Sequence, residues 1–491
     1  MLDDALLGLK LSREEYDQIV PGLRTELLDL QFDLLESARF PVIILVAGYK
    51  TAGKSETIQE LLGWLDPRTV QVQAETPPGP EDRERPGLFR HWRDLPPRGR
   101  IGVYYSGWYF DLFRAIAEGE LRRAELPQAF VQVQRFERQL VDEGALVLKF
   151  LLHISAKERR RRLKKWAKDP HKRWWLTQHD WQLAKKGKSL HGIFERVITA
   201  TDHHAAPWTI VDAGDEYHRE VTVAQHVVAA LRARLQAPAP APTRPAAVPA
   251  QPPAVPNVIS RLDLGQRLEE DEYERQIDKW EARLARLVQQ PGFQRRSVCA
   301  VFEGTDAAGK GGAIRRITNA IDARIHRVVR IAKPTDEEAA QPWMWRFWRH
   351  LPRRGHLTIF DRSWYGRVLV ERVEGFCQPH EWQRAFDEIK DFETTLLQAG
   401  VVVVKQWLQI SKEEQLRRFE ARRDTPYKRQ KLTDEDWRNR EKWDEYQAAV
   451  VDMIQRTSTA DAPWTLVEAE DKLFARVKVL KTLCKAIEAA L

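Results

Sequence analysis

The stretch G-T-D-A-A-G-K-G at 304–311 sets a glycine-rich turn directly ahead of a lysine. At the start of a helix such a turn presents backbone N–H groups and the positive end of the dipole, so with Lys310 it makes an anion site. The generic phosphate-loop pattern G-x-x-x-x-G-K-[ST] fails at its last position: Gly311 stands where a hydroxyl usually meets Mg2+. An acid, Asp306, lies inside the loop instead, and a second, Asp361, ends the apolar run T-I-F-D. Mg2+ takes oxygen ligands, commonly one or two carboxylates plus substrate phosphates. Asp306 and Asp361 are therefore candidates to share a metal, and Asp306 could also orient or deprotonate an acceptor oxygen. The structural alternative is a helix cap for Asp306 and an ion pair between Asp361 and Arg362. Arg362 and Arg367 follow in D-R-S-W-Y-G-R, and 412–442 is densely charged with helical character. Phosphoryl transfer asks for positioned cations around the moving group more than for covalent chemistry. A basic helical lid would supply cations and exclude water. No Ser or Cys stands in a pattern that suggests nucleophilic catalysis.

A second loop, G-Y-K-T-A-G-K-S at 48–55, meets the generic pattern at every position. It belongs to an internal repeat with a constant offset of 256 residues: Gly48 and Gly304, L-P-P-R-G at 95 and L-P-R-R-G at 351, I-S at 154 and 410, A-P-W at 206 and 462. Before the loops the offset changes by one residue. The elements that must carry the loops repeat too. Each half opens on an amphipathic helical stretch (about 12–38 and 266–290), followed by a buried-looking strand, P-V-I-I-L-V-A or V-C-A-V-F-E, that runs into its loop. Further strands are R-I-G-V-Y-Y or H-L-T-I-F-D, L-V-L-K-F-L-L-H-I or V-V-V-V-K-Q-W-L-Q-I, and W-T-I-V-D-A or W-T-L-V-E-A. Continuous apolar strands alternating with helices predict a parallel sheet covered on both faces. The fold class is thus α/β: tandem duplicated P-loop kinase-like domains, each a parallel sheet covered by helices, with a helical lid. The Pro/Ala-rich run 236–256 reads as a semi-rigid linker between domains at 1–235 and 257–491.

The formal net charge of +8 favours a polyanionic partner, be it nucleic acid, polyphosphate or an acidic membrane. Three cysteines, Cys299, Cys377 and Cys484, are too few and scattered for a disulfide framework or a zinc site. No apolar run reaches the ~18 residues a membrane span needs, and the N-terminus lacks a signal-peptide pattern. A soluble, cytoplasmic protein is the expectation.

Together, G-T-D-A-A-G-K-G-G, K-P-T-D-E-E, W-R-F-W-R-H-L-P-R-R-G-H-L-T-I-F-D-R-S-W-Y-G-R-V-L-V-E-R-V-E-G-F and the lid-like 410–446 closely resemble the polyphosphate kinase 2 family over nearly the whole second half. The resemblance implies an enzyme that moves a phosphoryl group between inorganic polyphosphate and a nucleotide, with Mg2+ or Mn2+. It implies that Asp306, Lys310, Asp361 and Arg362 are catalytic, with Asp306 and Asp361 on the metal. Gly304, Ala308, Gly309 and Gly311 of the loop, Lys333, Arg367, Glu371 and the lid residues Arg422, Arg423 and Lys428 would bind substrate. The fused two-domain form is similar to the class that phosphorylates AMP to ADP. Neither nucleic acid nor membrane is then a partner, and a homo-oligomer is in keeping with the family.

The first half departs at the positions that matter. Lys50 stands for Asp306, Tyr105 for Asp361, Ser106 for Arg362, Asp111 for Arg367, Ala115 for Glu371 and Trp166 for Arg422, while Lys54 and Arg162 remain. It keeps an anion cradle and loses both acids, so it is expected to be inactive. The alternatives are polyphosphate-dependent phosphorylation of ADP or GDP, an ATP-dependent P-loop nucleotide kinase, and a polyanion-binding protein without catalysis. Gly311 speaks against the second, and acids in an anion site speak against the third.

Overall fold

A computed structural model of the chain describes residues 2, 7–74, 76–177, 181, 187–238, 256–424 and 434–491. The expected linker lies outside the described residues from 239 to 255. In the first half, strands β1 (Val42–Gly48), β2 (Val70–Ala74), β3 (Ile101–Tyr105), β4 (Leu146–His153) and β5 (Trp208–Asp212) form one sheet in the order β2-β3-β1-β4-β5. In the second half, β6 (Ser297–Gly304), β7 (His326–Arg330), β8 (Leu357–Asp361), β9 (Val401–Gln409) and β10 (Trp464–Glu468) repeat it as β7-β8-β6-β9-β10. Every pairing is parallel. The apolar residues explain this. β6 is buried from Ser297 to Glu303, and helices Glu270–Val288, Lys310–Ala320 and Lys472–Ala490 join it in one apolar core. Both faces of such a strand are dry, so both must be apolar.

The edge strands β2 (V-Q-V-Q-A) and β7 (H-R-V-V-R) did not stand out in the sequence. Of the five β7 residues only Val329 is buried, so no apolar run marks the element, and Arg and His on it discourage further pairing. The charged stretch 412–442 is helical at Lys412–Asp424 and Asp434–Glu441, with 425–433 outside the described residues.

The chain forms two compact units. One comprises Met1–Pro77, Arg90–Ala239 and Thr335–Trp345; the other comprises Pro78–Phe89, Pro240–Pro334 and Arg346–Leu491.

Both sheets are anchored to a helix by a buried ion pair. In the second half Lys405 of β9 meets Glu393 of helix Pro379–Gln398 at 2.8 Å, with both side chains almost wholly enclosed. Lys405 donates also to Tyr365 Oη (3.1 Å) and to the carbonyl of Thr457 (2.8 Å), which occupies all three ammonium hydrogens. Glu393 Oε1 accepts from Trp364 Nε1 (3.1 Å) and Tyr365 Oη (2.7 Å). Burial pushes the Glu393 carboxyl up and the Lys405 ammonium down; the mutual bond opposes both shifts. The first half repeats the cluster with Lys149 and Glu137 at 2.7 Å, joined by Tyr109, Trp108 and the Thr201 carbonyl.

Removing one partner of such a pair strands the other charge in a dry interior, at a cost of about 3–5 kcal/mol. Lys405→Met should therefore lower the urea midpoint of unfolding strongly, and adding Glu393→Leu should recover much of the loss. Equal midpoints for Lys405→Met and the unaltered chain would refute this account.

Candidate functional site

The second-half site stands at the carboxyl ends of β6 and β8. Here strand order reverses, which in open parallel sheets is where ligands bind. β6 ends at Gly304, where a Cβ would come within 2.5 Å of the Leu408 carbonyl oxygen, so the close approach of β9 leaves room only for glycine. The loop then turns through Ala307 (φ 66°) and Gly309 (φ 106°) into helix Lys310–Ala320. Lys310 Nζ folds back onto the carbonyls of Gly304 (2.8 Å) and Thr305 (3.5 Å), which holds the ammonium over the loop mouth. A Cβ on Gly311 would meet nothing within 4 Å, so space does not forbid the usual hydroxyl residue there. Ala308 is buried beneath the loop.

Asp306 faces three elements. Its Oδ1 accepts from Arg362 Nη2 at 3.3 Å, its Oδ2 from Asn439 Nδ2 at 2.9 Å, and its carbonyl from Gln415 Nε2 at 3.3 Å. Gln415 lies on helix Lys412–Asp424 and Asn439 on helix Asp434–Glu441, so both lid helices touch the phosphate loop. Asp361 closes β8, and its carbonyl accepts from the N–H of Ile331 just past β7 (3.0 Å). Arg362 follows in the left-handed region, φ 63°, a conformation that costs a side-chain-bearing residue about 1–2 kcal/mol. That turn swings its guanidinium to Asp306 and, at 3.5 Å, to Glu435. Burial works against the Arg362 charge, yet the fields of Asp306, Glu435, Glu303 and Asp361 outweigh it and raise its pKa. One arginine thus sits among both sequence-predicted acids.

The other predicted residues are less tightly gathered. Arg367 pairs with Glu371 at 3.0 Å. Burial lowers the pKa of Arg422, and Asp436 and Asp306 oppose that, so this arginine lies within the field of the loop acid. Arg423 is exposed and pairs with Asp424 at 3.3 Å. Lys333 lies in the exposed loop after β7, and Lys428 lies outside the described residues.

Several residues of the site went unmarked in the sequence. Glu303, the last buried residue of β6, accepts from Ser363 Oγ at 2.8 Å directly below the Asp361–Arg362 turn. Its pKa is raised by burial, against the pull of Ser363, Lys310 and Arg362. Arg418 clamps the loop: its guanidinium donates to the carbonyls of Ala307 (2.9 Å), Ala469 (2.7 Å) and Glu470 (2.8 Å). Tyr446 donates to Asn439 Oδ1 (3.0 Å) and to Glu374 (3.4 Å), and Glu374 also holds Arg438 and Lys442, each at 3.1 Å. A residue-by-residue reading of the repeat carries the signal: Glu303, Ser363, Asn439 and Tyr446 correspond to Ala47, Gly107, Leu183 and Leu190.

The first half keeps the cradle and replaces the chemistry. Lys54 Nζ folds onto Gly48 (2.7 Å) and Tyr49 (3.1 Å), and Arg162 clamps Thr51, Ala213 and Gly214 as Arg418 does its counterparts. Ser106 keeps the left-handed turn at φ 69°. Lys50 is exposed. Burial pushes the Tyr105 hydroxyl up, and its hydrogen bond with Ser55 works the other way, so the residue replacing the strand acid is engaged with the loop serine. Asp111, in the place of Arg367, pairs with Arg90.

A family model for polyphosphate kinase 2 matches residues 10–238 and again 267–491. The chain is 50% identical to a polyphosphate:AMP phosphotransferase of Pseudomonas aeruginosa over 491 residues, covering 100% of this chain and 99% of that one. It is 43% identical to a polyphosphate:AMP phosphotransferase of Pseudomonas syringae pv. tomato, again over 100% and 99% of the two chains. A crystal structure assigned to a polyphosphate kinase 2 from Pseudomonas aeruginosa PA01 superposes with a TM-score of 0.89 at 47% identity, covering 100% of this chain and 99% of its own. Two matched halves, one fold repeated and a phosphate loop with an acid inside it lead to one conclusion: this chain belongs to the polyphosphate kinase 2 family.

Proposed function

We propose that the chain transfers a phosphoryl group from inorganic polyphosphate to AMP, giving ADP, and that the second half alone carries the reaction. A phosphate oxygen of AMP attacks the terminal phosphorus of the chain, the adjoining P–O bond breaks, and polyphosphate leaves one unit shorter. The observation that supports this most is the meeting of Asp306 with Arg362 and Asn439 over an open phosphate loop. Full-length relatives named polyphosphate:AMP phosphotransferase support the choice of donor and acceptor. Lys310 and the loop amides bind the donor phosphates, as helix N-termini bind anions. Arg362 neutralises charge on the moving group, Arg367 and Arg422 add to the positive field, and the lid helices exclude water.

The donor set fits a divalent cation. Asp306 and Asp361 both act on Arg362, and two carboxylates with substrate phosphates are what Mg2+ commonly takes. No group of three or more His, Cys, Asp or Glu side chains gathers among the described residues, and phosphate oxygens and water would fill out a shell begun by two carboxylates. Bound there, Mg2+ neutralises charge on the phosphates. Glu303 acts as a positioning residue: through Ser363 it braces the segment directly after Arg362. The first half lacks Glu303, Ser363 and both acids, and its remaining role is to support the fold. No helix among the described residues is long and apolar enough to cross a membrane; a cytoplasmic setting and a homo-oligomer remain part of this reading.

Four outcomes check it. With Mg2+ and polyphosphate, AMP should yield ADP faster than GMP, ADP or GDP yield their products; no ADP from AMP sinks the assignment. Asp306→Ala and Asp361→Ala should each lower kcat by at least about a hundredfold, on the scale of losing a group that stabilises transferring charge, while Lys54→Ala keeps most of the activity. Ser363→Ala should lower kcat about tenfold with the KM for AMP unchanged, the size of one lost charge-assisted hydrogen bond. Glu303→Gln, which still accepts from Ser363, should retain more activity than Glu303→Ala.

A further inference from the structure

The first half carries, on the outer face of its lid-like helix, a charge pattern that its phosphate loop does not use. Helix Ala156–Lys168 reads A-K-E-R-R-R-R-L-K-K-W-A-K, eight cations to one acid, whereas its counterpart Lys412–Asp424 reads K-E-E-Q-L-R-R-F-E-A-R-R-D, five to four. Arg159 and Arg162 face inward: the Arg159 guanidinium lies 4.9 Å from the Tyr49 ring centroid, and Arg162 donates to the Thr51 carbonyl at 3.0 Å. Lys157, Arg160, Arg161, Lys164 and Lys168, spaced i, i+3, i+4, i+7 and i+11, share the opposite face and are all exposed. At ~1.5 Å per residue the row runs about 16 Å along the helix.

The repeat shows that the fold does not require this charge. At the offset of 256, Lys157, Lys164 and Lys168 correspond to Glu413, Glu420 and Asp424, which are exposed too, and Arg160 corresponds to Leu416. Of the five, Arg161 alone keeps its charge, as Arg417. Among the described residues Lys157, Arg160, Lys164 and Lys168 form no ion pair. The nearby acids are engaged elsewhere: Glu158 by Arg161 (2.6 Å) and Arg162 (2.7 Å), and Asp169 by the N–H of His171 (2.8 Å). Past the helix, aromatic rings hold further cations. Lys172 Nζ lies 5.6 Å from the Trp166 ring centroid, and Arg173 Cζ lies 4.6 Å from that of Trp174, which is 75% exposed. A ring steadies a cation without neutralising it, so the charge stays available to an anion from outside.

We propose that this face captures long-chain polyphosphate and so raises its concentration at the enzyme. This rests on the reading of polyphosphate as donor. At its loop the first half has only the fold to support; its outer helix face has a task of its own. Cations in file with no acid between them match a polymer whose charges repeat along a line. The second-half helix does not offer such a face, because its three exposed acids repel the chain. A flexible polymer held at one point presents the rest of its length at raised local concentration, with no new contact at the catalytic loop. The gain depends on length, since a chain of a few phosphates occupies one site at a time. Single-stranded nucleic acid shares the linear charge, but its bases ask for open rings to stack on, and here Arg173 and Lys172 already lie over Trp174 and Trp166.

Lys157→Glu/Lys164→Glu/Lys168→Asp in the full chain writes the second-half residues onto this face. All three side chains are exposed, so the urea midpoint should not move. The KM for long-chain polyphosphate should rise at least about tenfold, with kcat, the KM for AMP and the KM for short-chain polyphosphate unchanged. Binding of long-chain polyphosphate measured by calorimetry without nucleotide should weaken likewise, and the slope of log K against log salt should fall by about one per lysine removed. The neutral variant Lys157→Gln/Lys164→Gln/Lys168→Gln should move each value less and in the same direction. An unchanged KM for long-chain polyphosphate overturns the proposal. So does an equal rise for short chains, which would place the effect at the catalytic site. Lost binding of single-stranded RNA with polyphosphate binding intact also overturns it and gives the face to nucleic acid. The calorimetry needs no turnover, so a failure to make ADP from AMP would count against the substrate reading while leaving the face to be judged on binding.

Discussion

The buried bond between Lys405 and Glu393 is the constraint on which the second-half site rests. It joins β9, the neighbour of the central strand β6, to the helix that covers it. Through Trp364 and Tyr365 it also grips the segment that follows Asp361 and Arg362. An ion pair in so dry a place is a poor source of net stability, because desolvation consumes most of the attraction. Its value is geometric: five groups satisfy one another only in one arrangement, and that arrangement fixes where the strand-end acid and its neighbouring arginine stand. The phosphate loop is fixed from the other side by Arg418, whose guanidinium ties the loop to the residues that follow β10.

The same scaffold recurs around Lys149, Glu137 and Arg162. The differences that bear on the chemistry include side chains at and around the phosphate loop. Acid gives way to Lys50 and Tyr105, the Glu303–Ser363 bond gives way to Ala47 and Gly107, and Arg219 takes up the space beside Gly53. A scaffold can be retained for its packing alone, whereas paired acids around a phosphate site are a liability when no metal and substrate balance them.

Much of this was legible in the sequence because duplication supplies its own control. The strands β1, β3, β4 and β5, their partners and the lid helices follow from apolar runs and repeated motifs. The acids Asp306 and Asp361 and their losses follow from the constant offset. The edge strands β2 and β7 were hidden because an exposed strand carries no continuous apolar run. Glu303 was hidden for the opposite reason, since an acid at the end of a buried strand reads as a boundary until Ser363 is seen opposite it. Asn439 and Tyr446 were hidden inside a charged stretch where only tertiary contact distinguishes a residue facing the loop from one facing water. The packing of Arg219 against Gly53 could not be read either, because it depends on a side chain of helix Glu216–Gln236 reaching back to the loop.

The left-handed turn at Arg362 has a counterpart in Ser106, at φ 63° and φ 69°. Backbone strain is often taken as a pointer to working sites, and at Arg362 it aims a guanidinium. At Ser106 the same distortion aims a hydroxyl where neither acid remains. The distortion is therefore a property of descent: the N–H of each residue bonds back to the central strand, Arg362 to Phe302 and Ser106 to Val46, and the backbone keeps that path whatever side chain it carries. A search by shape alone would count two equal sites in this chain, because the loop, the clamp and the strain are all doubled. Side-chain chemistry distinguishes them, and in a duplicated enzyme the backbone records ancestry while the side chains record present use.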